Sequence, residues 1–185
     1  MSAYIHGRQN VGPRRLREPG PDSAQLELLI HAAAAAPDHG LLVPWRFLLV
    51  PQDKRSLLGD AFAAALIERD PLADHVSVAQ ARDKAFRAPV LLLAVVRLGS
   101  PEKNVPAQER LVSLGCAIQN LLLAAEAMGY SSGLVSGQAL SSCPLRNLCR
   151  IQAEEEATCF ISIGSAQEKR PARKRPQLTE IFETL

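Results

Sequence analysis

Residues Ala32–Val50 read AAAAAPDHGLLVPWRFLLV, and the rest of the chain is organised around this stretch. An alanine-rich run closes a helix, and Pro37 stops it, because proline lacks the N–H and clashes with the preceding turn. Asp38, His39 and Gly40 supply a polar turn. Pro44 and Trp45 deliver the chain into Phe47–Val50, an apolar run bounded by Pro51 and short enough for a strand. A histidine and the single tryptophan of the chain thus meet at a helix-to-strand junction. Loops held by rigid elements are where ligand contacts concentrate. The plainer alternative is a capped helix end and a tryptophan packed in the core.

Working outward, Asp22 with Gln25 resembles a capping box, which starts a helix running to about Ala35. Asp53 is a candidate N-cap for a helix through Glu68, with Leu57, Leu58, Ala61, Phe62, Ala65 and Leu66 at helical spacing. Asp70–Arg87 is polar and reads as an excursion over the core, with little chemistry beyond access control. Val90–Val96 is a continuous apolar run suited to a central strand buried on both faces. Glu109–Met128 reads as a long helix ending at Gly129, a natural C-terminal stop. That helix is apolar nearly all round, which predicts burial and, in a domain this small, a subunit interface as well as a core. Ser131–Ser136 and Thr158–Ile163 are further strands, and Ser142 with Pro144 starts a short helix through Leu148. Met1–Pro21, broken by glycines and prolines, reads as a loose terminus or an extended arm laid across a partner or ligand. Residues 166–185 form a tail with a basic run. With no repeat and no linker, 1–185 reads as one domain of strands interleaved with helices, an α/β or α+β sandwich.

Composition narrows the function. The chain has 185 residues, a net charge of +2 and 4% aromatic residues, which argues against bulk binding to nucleic acid or a base-stacking platform. No stretch reads as a signal peptide or a bilayer span. Cys116, Cys143, Cys149 and Cys159 form no zinc or disulfide pattern and read as reduced thiols of a cytoplasmic protein. His6, His31, His39 and His75 are scattered, so no metal motif forms. Gly-x-Ser-x-Gly, a Walker loop and a dinucleotide fingerprint are absent. What remains is a set of cations at both chain ends, the His39–Trp45 junction and a Gly/Ser-rich turn near Gly133. That set suits a bound cofactor that supplies the chemistry while the protein positions it.

Several short segments, taken in order, carry a resemblance. They are Arg8-Gln9-Asn10, Leu16-Arg17-Glu18-Pro19-Gly20-Pro21, Ala36-Pro37-Asp38-His39 with Pro44-Trp45-Arg46-Phe47, Phe86-Arg87-Ala88-Pro89, Ser113-Leu114-Gly115-Cys116-Ala117, Ala125–Tyr130 and Ser136-Gly137. Together they resemble the FMN-dependent nitroreductases, in particular the small NAD(P)H nitroreductase branch, over nearly the whole chain. The resemblance implies an α+β three-layer sandwich, with a central mixed sheet flanked by helices, in an intertwined homodimer with two shared FMN sites. It implies ping-pong transfer from NADH or NADPH through flavin to a nitroaromatic, a quinone or a similar small acceptor.

The resemblance also implies site residues. An Arg-Arg-Ser triplet that binds FMN in this branch falls on Arg8, Gln9 and Asn10, with one cation kept. His39 falls on an FMN contact supplied by the partner subunit, and Ala35 falls where the family often has an arginine. Leu134, Val135 and Ser136 fall on a flavin-contact segment, where Trp and Arg of the family are lost and backbone groups remain. Arg173 and Arg175 resemble cations placed near the FMN phosphate. Ala124, Ala125, Glu126, Ala127, Met128 and Gly129 fall on a nicotinamide-nucleotide segment. No side chain is assigned as catalytic, since the flavin carries the chemistry, and no metal is implied. Two other functions compete: a flavin store or sensor of the same fold with little turnover, and a non-enzymatic interaction protein whose basic tail binds acidic partners.

Overall fold

The computed structural model describes residues 2–99, 105–167 and 174–185. Helices α1 (Ser2–Gly7), α2 (Ser23–Ala34), α3 (Arg55–Arg69), α4 (His75–Asp83), α5 (Ala107–Ala127) and α6 (Cys143–Leu148) alternate with strands β1 (Leu16–Arg17), β2 (Trp45–Leu49), β3 (Val90–Arg97), β4 (Ser131–Val135) and β5 (Glu155–Ala166). The strands form one sheet with β5 at its centre. All named strand pairs are antiparallel. Parallel pairing among the described residues comes from the isolated bridge between Asn10 and Ser132. The architecture is α+β.

Successive residues of a strand point to opposite faces, and here both faces are covered. Leu92, Ala94, Val96, Ile161 and Ile163 pack with α2 and α5. Leu91, Leu93, Val95 and Phe160 pack with Leu58 of α3 and Leu145 of α6. The continuous apolar run at Val90–Val96 is therefore the buried central strand that its sequence predicts. Helix α2 begins with the expected capping box: Asp22 accepts from Gln25 N at 2.8 Å, and the Gln25 side chain accepts from Asp22 N at 3.0 Å. Asp53 does not cap α3. It lies in a 3-10 turn over Gln52–Lys54, and Lys54 precedes the helix without a side-chain cap. The excursion at 70–87 contains α4, which Asp74 caps through Ser77 N at 2.7 Å.

The N-terminal segment departs from an extended arm. Its first residues wind into α1, Pro13–Arg15 form a 3-10 turn, and Leu16–Arg17 add a short strand to β5. Between these elements the chain crosses β4, with Val11 N donating to Ser132 O at 2.9 Å and Asn10 Oδ1 accepting from Leu134 N at 2.7 Å. Backbone polar groups left over by a loose terminus are thus satisfied by β4. Gly133 makes the crossing possible, because a Cβ there would run into the Val11 carbonyl.

Trp45 ties the sheet to α5, donating from Nε1 to Ser113 Oγ at 3.1 Å and lying 5.6 Å from the Phe47 ring centroid. It is a packing residue. Arg46 and Glu155 fasten the far end of the sheet with two bonds, Nε to Oε1 at 2.9 Å and Nη2 to Oε2 at 2.8 Å. The Arg46 guanidinium holds the Glu155 carboxyl below its usual range against the opposing effect of burial.

Gly133→Ala is expected to destabilise the fold by about 2 kcal/mol, since backbone rather than a flexible side chain blocks the added methyl. Urea unfolding monitored by circular dichroism measures this, and an unchanged midpoint would show that the crossing is not held so closely.

Candidate functional site

The face of the sheet that carries Leu91 and Phe160 is not wholly filled by helices. A cavity of about 690 Å³ lies there, bounded by Phe62, Leu66 and Arg69 of α3, by Ser77, Gln80 and Ala81 of α4, and by the turn at 136–140. Its volume is in the range of small-molecule sites. The walls follow from local sequence. Strand β4 ends at Val135, and the chain leaves through Gly137 into a 3-10 turn at Gln138–Ser141. Asp74 starts α4 at the angle that carries Gln80 and then Lys84 over the cavity.

Arg55 fixes the wall behind Lys84 and Arg87. It is 1% exposed and donates from Nε to Val50 O at 2.9 Å, from Nη1 to Ala85 O at 2.8 Å and from Nη2 to Pro89 O at 3.1 Å. Burial pushes its pKa down, and the carbonyls take up its donors. The segment it grips turns at Ala88, whose φ is 70°.

The cavity is strongly one-signed. Arg14, Arg69, Lys84 and Arg87 line it, and none of the described lining residues is acidic. Arg87 is held below the usual arginine range by burial first and by the nearby Arg14 second. Asp83 offsets Arg87 in part, and the remaining excess of positive charge calls for an anionic ligand. The rest of the lining mixes apolar walls, Leu91, Val135, Leu140 and Phe160, with the neutral donors Gln80, Gln138 and Ser136. At its base is Ser162, fully buried, with an Oγ that has no hydrogen-bond partner. A buried hydroxyl without a partner costs free energy that a bound polar group would recover. Among the described residues no histidine, cysteine or carboxylate lines the cavity, so no pair built on those groups is available there. No cluster of metal-ligating side chains occurs among the described residues. The arrangement suits a flat aromatic ligand with anionic character that brings its own reactivity.

The residues anticipated from sequence divide between this cavity and other places. Val135 and Ser136 line it, and Leu134 is next to them on β4 with its N–H held by Asn10. Arg8, Gln9 and Asn10 do not line it. Arg8 is partly buried, its Nε is buried without a partner, and its carbonyl accepts from Arg175 Nη2 at 3.3 Å. Arg175 also donates to His6 O at 3.3 Å, so tail and N-terminal segment meet. Arg173 lies outside the described residues.

His39 lies on the α5 side of the sheet, with Nδ1 at 2.5 Å from Glu109 Oε2 near the start of α5. Its turn is backbone-strained, with Leu41 at φ 52° and Val43 at φ 43°, both exposed. Ala35 follows α2 on that same side and brings no charge. Ala124, Ala125, Glu126, Ala127, Met128 and Gly129 close α5, where Ala125 is fully buried and Ala124 and Met128 pack on the core face opposite the cavity. Gly129 takes φ 85°, as its role as helix stop requires.

Sequence reasoning missed Arg69, Gln80, Lys84 and Ser162, and treated 70–87 as a surface with little chemistry. One signal was available: Lys84 and Arg87 precede Pro89 and the most apolar strand, so their backbone is anchored. Ser162 is a hydroxyl inside an apolar strand, the kind of buried polar group that asks for a partner.

The nitroreductase family model matches residues 13–165, which includes the cavity walls and most of the sheet. A Haemophilus influenzae protein named "Putative NAD(P)H nitroreductase" is 30% identical over 171 residues, covering 92% of each chain. A nitroreductase-like family protein from Bacillus cereus superposes with a TM-score of 0.85 at 18% identity, covering 100% of this chain and 95% of that one. The FMN and NADPH-dependent nitroreductase NfnB from a sphigopyxis strain does so with a TM-score of 0.77 at 19% identity, covering 100% and 98%. The two structures show the fold, and the family model and the H. influenzae relative establish that this chain belongs to the nitroreductase family.

Proposed function

We propose that the chain is an FMN-dependent oxidoreductase that takes electrons from NADH or NADPH and passes them to a small acceptor such as a nitroaromatic or a quinone. One observation carries this reading: an apolar-walled cavity ringed by four cations and no acid, in a chain of this family. FMN fits that chemistry, with a flat ring for the apolar walls and anionic character for the cations. When bound, the flavin supplies a ring that accepts and returns two electrons.

The protein's part is placement. Arg14, Lys84 and Arg87 would hold the polar part of the ring, Ser162 and Gln138 would offer hydrogen bonds, and Val135 and Ser136 set the wall along β4. Arg8, with its unpartnered Nε beside the Arg175 contact, is the candidate phosphate anchor. Gln9 is carried over as a further ligand on resemblance alone. Asn10 acts one step back, fixing the Leu134 amide. Reduction by NAD(P)H and oxidation by the acceptor at the same ring would alternate in a ping-pong cycle.

A homodimer completes the site. Along α5, Val112, Cys116, Gln119 and Leu123 fall at helical spacing and are exposed or only partly buried. Val112 is 64% exposed and Leu111 43%. A five-turn helix with a mostly apolar stripe left partly open asks for a partner. Leu121 and Leu122 do not belong to that stripe, since both are buried in the core. The strained His39 turn lies on the same side as α5, so it belongs to the face that a second copy would cover. No helix among the described residues is long and apolar enough to cross a membrane, which is compatible with the cytoplasmic location that reduced thiols favour.

Three variants test this reading. Arg8→Ala removes a charge-assisted bond and is expected to lower FMN affinity about ten- to hundred-fold, with activity restored by excess FMN. His39→Ala should instead keep flavin while changing its rate of reduction. Flavin titration with anaerobic NAD(P)H bleaching separates the two, and a protein that binds flavin but is never bleached would be a store rather than a reductase. Val112→Asp should convert the dimer to a monomer and release flavin, as read by sedimentation with flavin absorbance. A flavin-loaded wild-type monomer would refute the shared site.

A further inference from the structure

A second recess of about 520 Å³ shares Pro13, Arg14 and Arg87 with the flavin cavity. We propose that it seats the adenosine diphosphate part of NAD(P)H while the nicotinamide lies in the cavity. The inference rests on the flavin reading, because a dinucleotide delivering hydride must keep its nicotinamide on the ring and lead its remainder out beside it.

The recess has the groups such a ligand needs. Arg14 and Arg87 stand in the dividing wall, where a diphosphate leaving the cavity must pass. Arg17 lines the recess, with Nη1 holding Arg14 O at 2.6 Å and Leu16 O at 3.0 Å, so the guanidinium is already oriented. Arginine forks suit phosphate oxygens and need little ordering when so held. Phe86 also lines the recess and is 55% exposed, a flat aromatic surface on which adenine can stack. Glu18 accepts from Gly20 N at 3.0 Å through Oε2, and its carboxylate can also take a ribose hydroxyl. The back wall is rigid, since Pro89 O accepts from both Gln52 Nε2 at 3.0 Å and Arg55 Nη2 at 3.1 Å. The end of α5 offers no comparable site, for its last turn has no basic residue and packs on the opposite face of the sheet.

Phe86→Ala and Arg17→Gln test the proposal in the flavin-loaded protein, since both residues line the recess and neither lines the flavin cavity. ADP-ribose titrated by calorimetry should bind the wild type and bind each variant about tenfold more weakly. In anaerobic stopped-flow reduction, the preference for NADH over reduced nicotinamide mononucleotide, which lacks the adenosine half, should fall by a similar factor. Flavin content should stay at the wild-type level. Equal ADP-ribose binding by variants and wild type would overturn the proposal, and so would an unchanged NADH preference. Loss of flavin from the variants would overturn it too, because the recess would then belong to the flavin site. A wild type that carries no flavin refutes the proposed function instead, and calorimetry of ADP-ribose would still judge the recess.

Discussion

Burial of β3 and β5 on both faces is the constraint on which the rest depends. Leu92 and Ala94 point to α2 and α5, and Leu91 and Leu93 point to α3 and α6. Each apolar residue so buried contributes roughly 1.5–3 kcal/mol, so neither face can be opened cheaply. The sheet therefore lies between the cavity and the His39 turn within one chain. The cavity with its cations is on one side. His39, the strained turn and the open stripe of α5 are on the other. If both sets serve one flavin, a second copy must bring them together.

The cavity has a second dependence, on the segment at 84–89. Lys84 and Arg87 are useful only if their backbone stays put, and Arg55 holds it with carbonyl bonds rather than a counter-ion. A carboxylate partner for Arg55 would have put a negative charge behind the cations of the cavity. By using carbonyls, the fold keeps a buried cation without adding an acid beside the cavity. Asn10 plays a similar supporting part on the opposite wall by fixing β4 through Leu134 N.

Much of the fold was legible because its signals are local. The capping box at Asp22, the proline stop at Pro37, the apolar run at Val90–Val96 and the glycine stop at Gly129 each depend on a few neighbouring residues. The N-terminal segment was misjudged because its order comes from β4, more than a hundred residues away, through Gly133 and Val11. The site was only partly legible for the same reason. Val135 and Ser136 could be placed by resemblance, whereas Arg69, Gln80, Lys84 and Ser162 come together only when α3, α4 and β5 pack. Periodicity shows which way a side chain faces on its own element, but not what lies opposite.

One chain's cavity and the partner's His39 are proposed to make a single flavin site. Mixed dimers of Lys84→Glu chains and His39→Ala chains test it most directly. In such a dimer one site would carry both substitutions and the other neither. The account predicts about one flavin per mixed dimer, reduced by NADPH at the wild-type rate, although neither parent dimer achieves this. If the flavin in mixed dimers is reduced only at the His39→Ala rate, the histidine acts within its own chain or not at all, and the shared site is contradicted.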